Sequence, residues 1–182
     1  MRKMDVKKIR SAVAKLAIEA NFVLRRDIIR AIRNAYLAEK NRKAKKILKI
    51  LLDNAAIAKK EKLAICQDTG MAAVFIEIGQ GVSLVGGGLS KAVNDGIRDG
   101  YRKGYLRKSV VADPLLRMNT KDNAPAVIHE KIVPGGNIKI TVMPKGFGSE
   151  NKSVMRMFNP TQGGDEIASF VIEAVRKAGA DA

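Results

Sequence analysis

The hydrophobic period of this chain changes once, near Leu63, and that change limits the folds open to it. Before it, three segments carry apolar residues at three- and four-residue spacing. Residues 5–21 do so with Ile9, Val13, Leu16, Ala17 and Ala20; residues 24–40 with Ile28, Ile29, Ile32, Ala35 and Tyr36; residues 42–62 with Ala44, Ile47, Leu48, Leu51, Leu52 and Ala55. Lys and Arg fill the opposite faces. This spacing predicts three amphipathic helices in ordinary packing, the first capped by Asp5. After Leu63 the pattern is that of strands and turns. Met71–Gly79 is an apolar, β-branched run that predicts a buried strand over 71–78. Residues 126–133 and 137–143 read as two strands joined by Pro134-Gly135-Gly136, a β-hairpin by composition. Leu89, Val93, Ile97 and Tyr101 predict a helix between these strands. Asp113-Pro114 marks a turn, and residues 164–179 predict a closing helix with Gly179 at its C-cap. The expected class is α+β: N-terminal helices followed by a small mixed sheet with a β-hairpin and a C-terminal helix. At 182 residues the chain is expected to form a single domain over 1–182, with 1–62 its basic helical part and 63–182 the part that carries the site.

Charge bears on what such a chain can bind. The net charge is +16, and residues 1–62 hold 19 Lys/Arg against 6 Asp/Glu, or +13. A basic segment of this kind can neutralise phosphates. Aromatic residues make up only 4% of the chain, Trp is absent, and none is interleaved with the basic runs, so stacking on single-stranded bases is unsupported. Nucleic acid is therefore not expected as the primary partner. No apolar run is long enough to cross a bilayer, so no membrane partner is expected. The charged start, Met1-Arg2-Lys3-Met4-Asp5, lacks the apolar core of a signal peptide, and one cysteine excludes an internal disulfide framework. A cytoplasmic location is expected.

The residues with chemistry cluster in short stretches. Ile65-Cys66-Gln67-Asp68-Thr69-Gly70 places the only cysteine in a turn ahead of the buried strand, with an amide and a carboxylate beside the thiol. Such turns present side chains from a rigid scaffold. A lone cysteine is more often a small buried hydrophobe. The weight here rests on the whole pentapeptide and two later stretches, Asn119–Ala126 and Lys145-Gly146-Phe147-Gly148-Ser149-Glu150-Asn151-Lys152. Close glycines between lysines in the last one make a resting place for a carboxylate, or equally a surface turn. The glycines from Gly79 to Gly88 precede a helix without the Lys-Ser/Thr of a P-loop, so they read as a loop needing positive backbone angles. His129, the only histidine, lies within a strand with no visible partner and reads as structural. A thiol nucleophile at Cys66 has no evident His base.

Taken in order, Cys66-Gln67-Asp68-Thr69-Gly70, Asn119–Ala126 and Lys145–Lys152 resemble the α subunit of the class I, iron–sulfur-dependent fumarate hydratases and the related L-tartrate dehydratases. The resemblance implies a hydro-lyase that reversibly hydrates fumarate to L-malate, with L-tartrate dehydratase as the alternative. It implies a 4Fe-4S cluster with Cys66 as one of three cysteine ligands. It further implies a dicarboxylate held by Gln67, Asp68, Arg107 and the backbone at Gly146 and Gly148. The proton-abstracting base is expected on a β subunit. The departure is plain: the family uses two further cysteines, and this sequence has none. The expectation is a truncated α subunit or excised domain, inactive alone. The alternative from another class is a basic nucleic-acid-binding or scaffold protein.

Overall fold

The computed structural model describes residues 2–179; the last three residues, and the side chains of Ser149 and Glu150, lie outside the described set. The chain divides into two compact units, one ending at Lys145 and one opening at Gly146.

In the first unit, β1 (Arg2–Asp5) leads into α1 (Val6–Phe22), followed by α2 (Arg26–Ala38) and α3 (Arg42–Glu61). Then come β2 (Met71–Gly79), β3 (Val82–Val85), α4 (Leu89–Lys103), β4 (Val127–Val133) and β5 (Ile138–Lys145). The α+β class and the three N-terminal helices agree with the sequence. The Asp5 carboxylate caps α1 by accepting from the Lys7 N–H at 2.8 Å. Two short strands escape the sequence reading. Residues 2–5, directly before the helix, pair in parallel with β3 as a two-stranded sheet. Four residues are too few to show a period of two.

The β-hairpin expected over 126–143 is not formed. β4 and β5 do not pair with each other: β2 lies between them, in the order β4-β2-β5, parallel to β4 and antiparallel to β5. The reason lies in β2. Its Ala72, Val74, Ile76 and Ile78 are all buried, and a strand this apolar is satisfied only with partners on both edges. Pro134-Gly135-Gly136 reads as a hairpin turn but instead straps across the end of β2. Gly79 N–H donates to the Asn137 carbonyl at 2.8 Å, and Gly81 N–H to the Gly135 carbonyl at 2.8 Å. A Cβ on Gly79 would stand 2.5 Å from the Gly135 oxygen, so this crossing demands glycine.

α1 and α4 cover one face of the three-stranded sheet. Val6, Ile9, Val13 and Ala17 of α1 meet Val93, Ile97 and Tyr101 of α4 and the buried side of β2. Each buried Val or Ile among these contributes about 1.5–3 kcal/mol. The two helices approach at backbone distance: a Cβ on Gly96 would stand 2.7 Å from the Arg10 carbonyl oxygen, and one on Gly100 2.9 Å from that of Ala14. Across their exposed edge Arg10 pairs with Asp99 at 2.7 Å. On the other face of the sheet Phe75 stacks on His129 with ring centroids 4.7 Å apart, a structural partner for the histidine. The sequence predicts ordinary packing for α2 and α3, but neither enters this core. α2 buries no residue and α3 only Ala55 and Ala58, while Leu37, Ile47, Ile50 and Ile57 stay exposed.

The second unit holds a 3-10 turn at Ser149–Lys152 and α5 (Gly164–Ala178). The Glu166 carboxylate reaches back to accept from the Gly163 N–H at 2.9 Å at the start of α5, and Gly179, at φ 71°, ends the helix as expected.

Candidate functional site

The turn before β2 is tied down from four directions. From α1, the backbone carbonyl of Asn21 accepts from the Ile65 N–H at 2.9 Å. From α3, the Asn54 side-chain amide donates to the Ile65 carbonyl at 2.9 Å. From the end of α4, the Tyr101 hydroxyl donates to the Thr69 carbonyl at 2.7 Å. From the segment before β4, the Asn123 amide donates to the Gly70 carbonyl at 3.0 Å. Within the turn, an Asp68 carboxylate oxygen accepts from the Gly70 N–H at 3.0 Å, and Gly70 takes φ 62°. The result is a fixed loop whose tip faces outward: Cys66 and Gln67 are exposed, Asp68 is half-buried, Thr69 and Gly70 are buried.

Arg107 is brought to this turn. The buried Thr69 hydroxyl donates to the Arg107 carbonyl at 2.8 Å, and the Arg107 side chain stays exposed. The same strip is held from behind by Asn123, which is fully buried at φ 63°. Its side-chain oxygen accepts from the Ser109 N–H at 2.7 Å and the Val110 N–H at 3.1 Å. One asparagine thus joins the exit of the Cys66 turn, the Arg107 strip and its own loop. Asn is among the few residues that adopt this left-handed backbone readily. Asp122 beside it accepts from Arg98 at 2.6 Å and from the Ala124 N–H at 3.0 Å. Burial opposes ionisation of Asp122, but these donors outweigh it and hold the carboxyl below its usual range. A cis bond joins Ala124 to Pro125.

Tyr101 lies beneath the turn with 1% of its surface exposed. Burial, the largest cause, pushes its hydroxyl up to about 12; hydrogen bonding with Asn21 opposes this, the Asp68 carboxylate adds to it, and Asn123 opposes it least. The phenol is therefore a neutral donor across the ordinary pH range.

Of the residues expected from sequence, Cys66, Gln67, Asp68 and Arg107 come together in the first unit. Lys145, the last residue of β5, is paired with Met71 and so lies beside the exit of the turn. Gly146 and Gly148 open the second unit, where the Gly148 carbonyl accepts from the Asn151 N–H at 3.2 Å. The sequence reading missed Asn21, Asn54 and Tyr101, and it singled out Asn123 only as part of the Asn119–Ala126 stretch, without a role. Only Tyr101 left a signal: a tyrosine on the apolar face of a helix must find a hydrogen-bond acceptor inside.

An exposed thiol is a soft donor suited to an iron–sulfur cluster. Among the described residues, however, no group of three or more His, Cys, Asp or Glu could hold a metal ion. The donors present supply one thiolate and do not fit a complete cluster. No helix of the described chain is long and apolar enough to cross a membrane.

A fixed turn that carries a thiol, an amide and a carboxylate, hydrogen-bonded through Thr69 to the Arg107 backbone, marks an α+β domain with its reactive groups exposed on one loop. The comparisons with known proteins give it a family. Residues 10–182 match the model of Fumarate hydratase (Fumerase), and the chain belongs to that family. It is 34% identical over 178 residues to a Methanocaldococcus jannaschii protein that carries the provisional name L(+)-tartrate dehydratase subunit alpha, covering 94% of this chain and 62% of that one. It is 33% identical over 136 residues to fumarate hydratase 2 of Leishmania major, covering 71% of this chain and 23% of that one. To the anaerobic class I fumarate hydratase of Escherichia coli it is 34% identical over 133 residues, covering 70% of this chain and 24% of that one. The chain thus spans about six-tenths of the first relative and about a quarter of the other two.

Proposed function

We propose that this chain is the thiolate-bearing part of a hydro-lyase that reversibly hydrates fumarate to L-malate and works with a β subunit. The observation that carries the reading is the exposed Cys66 on a fixed turn, with the Arg107 strip hydrogen-bonded to Thr69 at 2.8 Å. Family membership supplies the reaction class. In this reading Arg107 and Gln67 bind the carboxylates of the substrate, and the carboxylate of Asp68, braced by the Gly70 N–H, orients its polar end. Gly146 and Gly148 add backbone N–H donors. Cys66 contributes one ligand to a 4Fe-4S cluster, and the remaining ligands and the proton-abstracting base come from outside this chain.

A second reading, L-tartrate dehydratase, is favoured by the long match to the M. jannaschii protein of that name, which covers 94% of this chain. Both are tested in the complete enzyme with its partner subunit, assayed anaerobically on fumarate, L-malate and L-tartrate. The preferred substrate decides between them. Cys66→Ser is expected to abolish turnover and cluster absorbance while leaving the circular dichroism of this chain unchanged. Full turnover in Cys66→Ser would remove the sulfur from the chemistry and with it the proposal.

A further inference from the structure

A second concave surface lies in the first unit and has no part in the site above. It is a cleft of about 520 Å³ between α1, the α1–α2 turn, α2, α3 and the edge strand β5. Its floor is apolar: Leu16, Val23, Ile29 and Val142, all partly buried. Its rim is basic. Arg26 and Lys59 stand on it from α2 and α3, and both are exposed. Arg25 is also there but is engaged with Asp27, and Glu19 is the one acid on the rim.

The cleft exists because α2 and α3 pack on each other without closing on the core. Charge around it is one-sided. Residues 25–62 carry 13 Lys/Arg and 4 Asp/Glu, a net +9. The ion pairs described in this segment use only Arg25, Lys49 and Lys60. A second copy would bring another +9 against it, so like charges oppose self-association here. A nucleic acid duplex satisfies the cations but has nothing to place on an apolar floor. An amphipathic helix laid in a groove places apolar anchors on the floor and acidic residues on the rim, and so satisfies both.

We propose that this cleft is a docking groove for an acidic amphipathic helix of a partner protein. The cleft holds a few leucine-sized anchors, and Arg26 and Lys59 fix the acidic edges of the helix. The inference does not depend on the hydratase reading, since none of the cleft residues belongs to the Cys66 site.

The test uses the full chain and a 14-residue Glu/Leu amphipathic helical peptide. A same-composition scrambled peptide, a 20-base-pair DNA duplex and sodium laurate serve as competing probes. Binding is read by fluorescence anisotropy and located by methyl chemical shifts of Leu16, Ile29 and Val142. The helical peptide is expected to bind, to shift those methyls, and to outcompete the scrambled peptide by about tenfold or more. Arg26→Glu with Lys59→Glu is expected to weaken it by about tenfold or more, as for paired interface charges. Ala20→Phe, which fills the cleft from α1, should abolish binding. All variants must keep the wild-type helical dichroism. The proposal is overturned by equal affinity for the scrambled peptide, by shifts elsewhere, or by duplex binding that Ala20→Phe leaves intact. Occupation by laurate but not peptide, or a dimer in sedimentation that Ala20→Phe dissolves, would equally overturn it.

Discussion

Replacing Asn123 by Ala tests whether one buried amide holds the site together. The side chain makes three hydrogen bonds from a position with no exposed surface: two accepted, from Ser109 N–H and Val110 N–H, and one donated to the Gly70 carbonyl. Truncation leaves the two N–H groups without a partner, while the Gly70 carbonyl keeps the Tyr101 hydroxyl at 3.3 Å; each buried orphan costs about 1–3 kcal/mol. Alanine must also adopt φ near 63°, at a further cost of about 1 kcal/mol. The terms are not additive, so the expected loss is about 3–6 kcal/mol, a large part of the 5–15 kcal/mol typical of a domain. Urea unfolding followed by far-ultraviolet dichroism measures it. Hydrogen exchange locates it: the Ser109 and Val110 amides should lose protection while amides in the middle of β2 keep theirs. A loss below about 1 kcal/mol, the net worth of one ordinary hydrogen bond, would refute the idea that the three segments are joined through this residue.

Tyr101→Phe removes the donor to Thr69 and should cost about 1–2 kcal/mol at neutral pH. Because the folded-state hydroxyl is raised to about 12, its stabilising contribution is complete below the unfolded value near 10 and is lost as pH climbs through the folded one. Urea midpoints between pH 9 and 11 should therefore change differently in wild type and Tyr101→Phe; parallel curves would contradict the assignment. Gly96→Ala should destabilise by about 1–3 kcal/mol despite better helix propensity, because its Cβ meets the Arg10 carbonyl at 2.7 Å; a rise in melting temperature would show that α1 and α4 are not so close. In the complete enzyme, Arg107→Ala should raise KM for the dicarboxylate by about 10- to 100-fold, the range for a lost charge-assisted contact, without lowering the melting temperature; an unchanged KM would place the carboxylate elsewhere.

The helices were legible because their period repeats over several turns, and Asp5 and Gly179 announced their ends. The strand from Met71 was legible from a different signal, an unbroken apolar, β-branched run of strand length. Strand order was not: Pro134-Gly135-Gly136 has hairpin composition, and only the need of β2 for two partners separates β4 from β5. In the site, the residues read from the sequence were those whose chemistry is exposed, Cys66, Gln67, Asp68 and Arg107. Those that hold them, Thr69, Tyr101, Asn21 and Asn123, act through hydrogen bonds across 32 to 53 positions of chain for the two longest ties of Tyr101 and Asn123. No local pattern records such pairings. The cleft beside α2 was equally invisible, since periodicity shows that a face is apolar but not whether anything covers it.

The glycine contacts between α1 and α4 have a mechanical corollary. Two rods this close at Gly96 and Gly100, with Val13 and Ala17 seated against the glycines, have little room to slide past each other. Asn21 at the far end of one rod and Tyr101 at the far end of the other both grip the loop that carries the sulfur. Torsion inside residues 65–70 is then an easier way to displace that atom than a hinge in the scaffold beneath.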